Sequence, residues 1–126
     1  MGVRLLIAND GTISNATVSS WLTCLPGIQI VGLAQSGQIA ADLARALHPD
    51  VLLIDGEIIR RTGIEIVHRM FEDISGLRIL VLSDDADLLP AQTAHQTGIG
   101  RRVSRRSSPE DLAKAIRGVA VATAYP

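Results

Sequence analysis

Aromatic side chains are almost missing from this sequence: Trp21, Phe71 and Tyr125 are all that it holds in 126 residues. That leaves little to flank a flat ring cofactor or to stack on nucleobases. Cysteine is nearly absent as well. A single Cys24 excludes an internal disulfide framework and fits a reducing compartment. Its place in an apolar helical pattern makes it a buried structural thiol. Lysine occurs once, as Lys114, against eleven arginines. The net charge of -1 gives no global pull toward nucleic acid or a membrane. No apolar run approaches the ~20 residues of a membrane span. The opening apolar stretch is too short for a secretory signal, since Asn9-Asp10 ends it. Leu6 stands where a myristoylation signal needs Ser or Thr. The expected compartment is the cytoplasm.

What remains is a globular composition, 47% hydrophobic and 20% charged, of a size for one domain. The clearest element is Pro49-Asp50-Val51-Leu52-Leu53-Ile54-Asp55. A continuous apolar run between turn residues suits a strand buried on both faces. Similar runs are Arg4 to Ala8 and Arg78 to Ser83, Ile28 to Ala34 alternates well enough for a second strand, and Arg101 to Arg105 is a candidate fifth strand. Helical stripes separate them. Ala16, Val18, Trp21, Leu22 and Leu25 form the first stripe. Ile39, Ala40, Leu43, Ala44 and Leu47 come after Ser36 as a cap, and Ile64, Val67, Met70 and Phe71 come after a loop from Gly56 to Gly63. A poorer helix runs from Asp84-Asp85 to about Thr97. Ser108-Pro109-Glu110-Asp111 is a strong helix start before Leu112, Ala115, Ile116, Val119 and Ala120. The alternation βαβαβαβαβα implies a parallel sheet covered on both faces.

In such a sheet the strand ends near the topological switch point carry the ligand site. Here those ends supply Asn9-Asp10, Asp55, Ser83 and, from the fifth strand, Arg105. Two carboxylates with a backbone carbonyl suit a hard cation such as Mg²⁺. A cation with an arginine suits a phosphoryl group. Asp55 has a plainer alternative, as a cap for the segment after it. The histidines His48, His68 and His95 show no metal-ligand spacing. The cluster Arg101, Arg102, Arg105 and Arg106 reads first as a charged edge strand and second as an anion or partner patch.

The sequence resembles the receiver domain of response regulators of the NarL/LuxR type. The resemblance runs from Arg4 to about Val121. It rests on Leu5-Leu6-Ile7-Ala8-Asn9-Asp10, on His48-Pro49-Asp50-Val51-Leu52-Leu53-Ile54-Asp55 with Gly63 beyond, on Arg78-Ile79-Leu80-Val81-Leu82-Ser83, and on Ser108-Pro109-Glu110-Asp111-Leu112 with Ala115-Ile116-Arg117. It implies a flavodoxin-like, CheY-like α/β fold with five parallel strands in the order 2-1-3-4-5. It implies a non-enzymatic switch in which Asp55 accepts a phosphoryl group from a sensor histidine kinase. Asp10, Asp55 and the backbone carbonyl of Glu57 would hold Mg²⁺, and Ser83 would contact the phosphoryl group. Arg105 takes the place of the family's lysine, and Arg102 that of its switch aromatic. Asn9 replaces the first of two acidic residues, which should weaken Mg²⁺ binding.

The family also implies a homodimer as one state, and DNA contact only through a C-terminal helix-turn-helix. Residues 1–126 are then expected to be the receiver fragment of a longer transcription regulator. Two other readings stay open. Asn9, Arg102 and Arg105 together fit a receiver that works without phosphorylation, through protein or ligand contacts. The hydroxyl-rich loop Gly11 to Thr17 fits a phosphate cradle for FMN, against which the three aromatics weigh.

Overall fold

The computed structural model describes residues 2–11, 17, 20, 25–85 and 99–121. Five strands form one parallel sheet: β1 (Val3–Ala8), β2 (Ile28–Ala34), β3 (Val51–Asp55), β4 (Arg78–Leu82) and β5 (Ile99–Val103). Their spatial order is β2-β1-β3-β4-β5, with each neighbouring pair parallel. This is the expected order. The described helices are α1 (Gly37–Leu47), α2 (Gly56–Thr62), α3 (Glu65–Asp73) and α4 (Pro109–Val121).

The central strands alternate between two cores, because successive side chains point to opposite faces. Leu6, Ala8, Leu52, Ile54, Ile79 and Val81 face one way and meet Ala40, Ala41 and Ala44 of α1, Ile58 of α2, and Val67 and Met70 of α3. Leu5, Ile7, Val51, Leu53, Leu80, Leu82 and Val103 face the other way and meet Leu112, Ala115, Ile116 and Val119 of α4. Each fully buried aliphatic side chain contributes about 1.5–3 kcal/mol. β3 is buried at all five positions, which is why its sequence does not alternate.

Caps set the helix limits. The Ser36 hydroxyl accepts from the Ile39 N–H at 3.2 Å and starts α1. His48 ends α1 in the left-handed conformation with φ 48°, and Arg4 Nη1 donates to the Leu47 and His48 carbonyls at 2.7 and 2.8 Å. Ser108 Oγ accepts from the Asp111 N–H at 3.1 Å, as its sequence position suggests. At Gly32 the β1–β2 register shifts, and an added Cβ would lie 3.1 Å from Leu6 Cδ1 and 3.2 Å from Leu47 Cδ1.

Three expectations change. The stretch Gly56 to Gly63 is not a loop. It holds the seven-residue helix α2, ended by Gly63 at φ 84°. The fifth strand stops at Val103, so Arg105 lies in the turn after it. Ile39 and Phe71 are exposed at 45% and 36%, so the stripes they belong to are narrower than the periodicity suggests. The expected first helix, with Trp21 and Cys24, and the expected helix from Asp84 to Thr97 fall almost wholly outside the described residues, as does His95. Among the described residues no helix is long and apolar enough to cross a membrane.

Candidate functional site

Register brings the strand ends together. Ala8 pairs with Ile54, and Asp55 with Leu82. Asn9 and Asp55 therefore leave the sheet at the same level, and Asp10 and Ser83 come one residue further. Val103 pairs with Leu82, which carries Ser104 and Arg105 to the same rim.

Asp55 ends the central strand and begins α2. Its Oδ1 accepts from the Glu57 N–H at 3.2 Å, so it does cap the helix. Capping and chemistry are not exclusive here. The side chain is 0% exposed, and Arg105 Nη1 lies 3.7 Å from the same oxygen. That distance is an ion pair and too long for a hydrogen bond. A buried carboxylate at the end of the central strand thus stands beside a guanidinium from the turn after β5.

Asp10 has a side chain only 7% exposed, and its Oδ2 stands 3.2 Å from Nη1 of Arg61, on the last turn of α2. Asn9 holds the local turn. Its Oδ1 accepts from the Gly11 N–H at 3.1 Å, and Gly11 takes φ 101°. Ser83 is buried at 5%. Its N–H donates to the Val103 carbonyl at 2.8 Å, its Oγ accepts from the Asp85 N–H at 3.0 Å, and its own carbonyl accepts from Arg102 Nη1 at 2.9 Å. Beside it, Ser104 Oγ donates to Asp84 Oδ1.

Glu57 lies in the first turn of α2, and its carboxylate meets Arg60 Nε at 3.2 Å. Arg60 Nη2 also reaches Asp85 Oδ2 at 2.7 Å. The hydrogen bond with Asp85, then the field of Glu57, raises the Arg60 pKa above its ordinary value. Arg60, Arg61 and Asp85 are site neighbours that the strand-end pattern does not point to. A signal is nonetheless present in Asp55-Gly56-Glu57-Ile58-Ile59-Arg60-Arg61: an N-cap, an acid in the first turn and basic residues in the last.

A comparison across protein families matches residues 5–117 to the response regulator receiver domain. The chain belongs to this family. It is the receiver domain of a two-component response regulator. Over 117 residues it is 26% identical to the response regulator protein VraR of Staphylococcus saprophyticus, covering 93% of this chain and 56% of that protein. The chain thus spans about half the length of the curated relatives it matches. The fold agrees with the signal receiver domain of NarL from Mycobacterium tuberculosis, at TM-score 0.80 and 23% identity over 94% of this chain and 96% of that one. It agrees too with a LuxR-family DNA-binding response regulator from Staphylococcus aureus, at TM-score 0.77 and 19% identity over 94% and 98%.

Receiver domains as a class are phosphoacceptors that hold Mg²⁺ beside the phosphorylation site. The register puts the Asp10 and Asp55 carboxylates and the Asn9 amide at one rim of the sheet, and oxygen donors of this kind are the hard ligands that ion takes. Among the described residues no group of three or more His, Cys, Asp or Glu side chains converges. Asn9 offers an amide at the position where the resemblance implies a carboxylate.

Proposed function

We propose that this receiver is a phosphorylation switch with Asp55 as its acceptor. One observation carries the reading: a fully buried carboxylate at the end of the central strand, with the Arg105 guanidinium 3.7 Å from its Oδ1. In the transfer, an Asp55 oxygen attacks phosphorus in line, a P–O bond forms, and the bond to the donor's histidine nitrogen breaks. Arg105 spreads the charge gathering on the phosphoryl oxygens. The Ser83 hydroxyl, which accepts from Asp85, still has its O–H to give to the phosphoryl group. Asp10, Asp55 and the Glu57 carbonyl would hold Mg²⁺, which supplies further charge neutralisation when bound. The domain itself is no enzyme beyond assisting its own phosphorylation and dephosphorylation.

The donor is a sensor histidine kinase in the cytoplasm. The output is a LuxR-type helix-turn-helix in a longer regulator of which residues 1–126 are the receiver. Homodimerisation and DNA binding belong to that larger protein. Incubation with acetyl phosphate and Mg²⁺, read by intact mass and Phos-tag gels, tests the acceptor. A single phosphoryl adduct lost in Asp55→Asn is expected, and an adduct that survives the substitution sinks the assignment.

A second reading has its own observation. Both carboxylates of the site already face guanidinium groups, Asp55 that of Arg105 and Asp10 that of Arg61. A receiver that signals by protein contacts without phosphorylation fits such a neutralised site, and absence of any adduct selects it.

A further inference from the structure

The Asp10 carboxylate is more than nine-tenths buried, yet the cation beside it comes from the protein itself. Arg61 Nη1 stands 3.2 Å from Asp10 Oδ2. The arginine belongs to α2, the helix that Asp55 caps, and its position six residues beyond Asp55 returns the guanidinium to the end of β1. The Arg61 side chain is largely exposed, at 68%. Its neighbour Arg60 points elsewhere, to Glu57 and Asp85. The two adjacent arginines of α2 thus do different things, and of the two it is Arg61 that faces the acidic pocket.

We infer that Arg61 is an internal competitor for the divalent-cation position, a tethered positive charge that raises the metal concentration at which the acidic pocket fills. This rests on the receiver site proposed above and adds its control by cations. Mg²⁺ ligates carboxylate oxygen at about 2.0–2.1 Å. A guanidinium on the same oxygen repels such an ion, so the two exclude each other at Asp10 Oδ2. The replacement of an acid by Asn9 acts in the same direction, since it removes one negative charge that favours the metal. Because Arg61 is long and largely exposed, moving it aside costs little. The contact is a threshold and not a block. At low divalent concentration Arg61 neutralises Asp10, and at high concentration the metal displaces it.

The test is direct metal binding, with no phosphorylation involved. Mn²⁺ added to the 126-residue chain is tracked by the fall of the free-ion EPR signal. Arg61→Gln is expected to bind Mn²⁺ about tenfold more tightly than the unaltered chain, the size expected for removing one charge from beside a divalent ion. Arg69→Gln makes the same change in formal charge on the exposed side of α3 and is expected to leave the affinity within about twofold. Equal affinities for Arg61→Gln and the unaltered chain overturn the inference. So does an equal shift in both variants, which would make the effect one of overall charge. Failure to form an Asp55 adduct would remove the phosphoacceptor reading and leave this measurement untouched.

Discussion

Arg102 donates from Nη1 to the backbone carbonyl of Ser83 at 2.9 Å, reaching from the edge strand β5 to the residue just beyond β4. In the opposite direction, the Ser83 N–H donates to the Val103 carbonyl of β5 at 2.8 Å. β5 therefore holds both backbone polar groups of Ser83. At the position where the family resemblance expects a switching aromatic ring, this chain has a guanidinium that ties the site's hydroxyl residue to the sheet edge. Arg102→Leu removes one partly buried hydrogen bond and keeps the strand. It should lower stability by roughly 1 kcal/mol, seen as a lower urea midpoint at unchanged slope.

The second tie on this segment is Arg60. Its guanidinium joins Glu57 in α2 to Asp85, whose own N–H donates to Ser83 Oγ. An exposed pair of this kind adds little to global stability. It can still limit local opening. Arg60→Gln should leave the thermal midpoint nearly unchanged while the Asp85 amide exchanges severalfold faster in hydrogen–deuterium exchange. Unaltered exchange at Asp85 would mean that the clasp does not restrain the segment.

The inner strands β1, β3 and β4 were legible because a parallel sheet buries both their faces and writes them as apolar runs, whereas the edge strands β2 and β5 carry Gln29, Gly32, Arg101 and Arg102 and were less so. The run Val51 to Ile54, bounded by Asp50 and Asp55, leaves little else to be. The rim residues Asp10, Asp55, Ser83 and Arg105 came from those strand ends. The helix α2 was not legible. It has only seven residues, begins on Gly56 and carries three β-branched residues, Ile58, Ile59 and Thr62, so its propensity is low. It forms because Asp55 caps it and because both isoleucines are buried in the core. With α2 read as a loop, nothing could direct Arg61 to Asp10 or Arg60 to Asp85. Those pairings depend on the angle at which the short helix leaves the sheet, which local sequence does not encode. Ile39 and Phe71 show a related limit, since a stripe of period 3.6 gives the centre of a buried face better than its edges.

The end of α2 offers a paired test of backbone strain. Gly63 takes φ 84° and ψ 164°, a region that nearly excludes other residues, and an added Cβ would touch nothing within 4 Å. Gly63→Ala should cost about 1–3 kcal/mol through strain alone. Gly118 lies within α4, where an added Cβ likewise meets nothing. Gly118→Ala should stabilise by about 0.5–1 kcal/mol. Chemical denaturation of both variants checks the opposite signs, and a neutral Gly63→Ala would show that the turn relaxes.

The charge pair at the centre of the site makes the sharpest prediction. Asp55 holds a buried negative charge next to Arg105, whose side chain is 29% exposed. Asp55→Asn keeps an oxygen for the Glu57 N–H, since Asn caps helices as well as Asp. It also removes the cost of burying a charge. The variant should therefore be as stable as the parent or more so, by up to about 2 kcal/mol, although it cannot take a phosphoryl group. Arg105→Leu acts the other way. It leaves the buried carboxylate without its neighbouring guanidinium and should cost about 1–2 kcal/mol, below the usual range for a broken buried pair because the separation is 3.7 Å and the arginine is partly solvated. The double variant should recover most of that loss, because the charge that needed Arg105 has gone. A double-mutant cycle by urea denaturation measures this coupling. If the two effects simply add, Arg105 does not neutralise Asp55, and the role proposed for it in holding a phosphoryl group there would lose its structural basis.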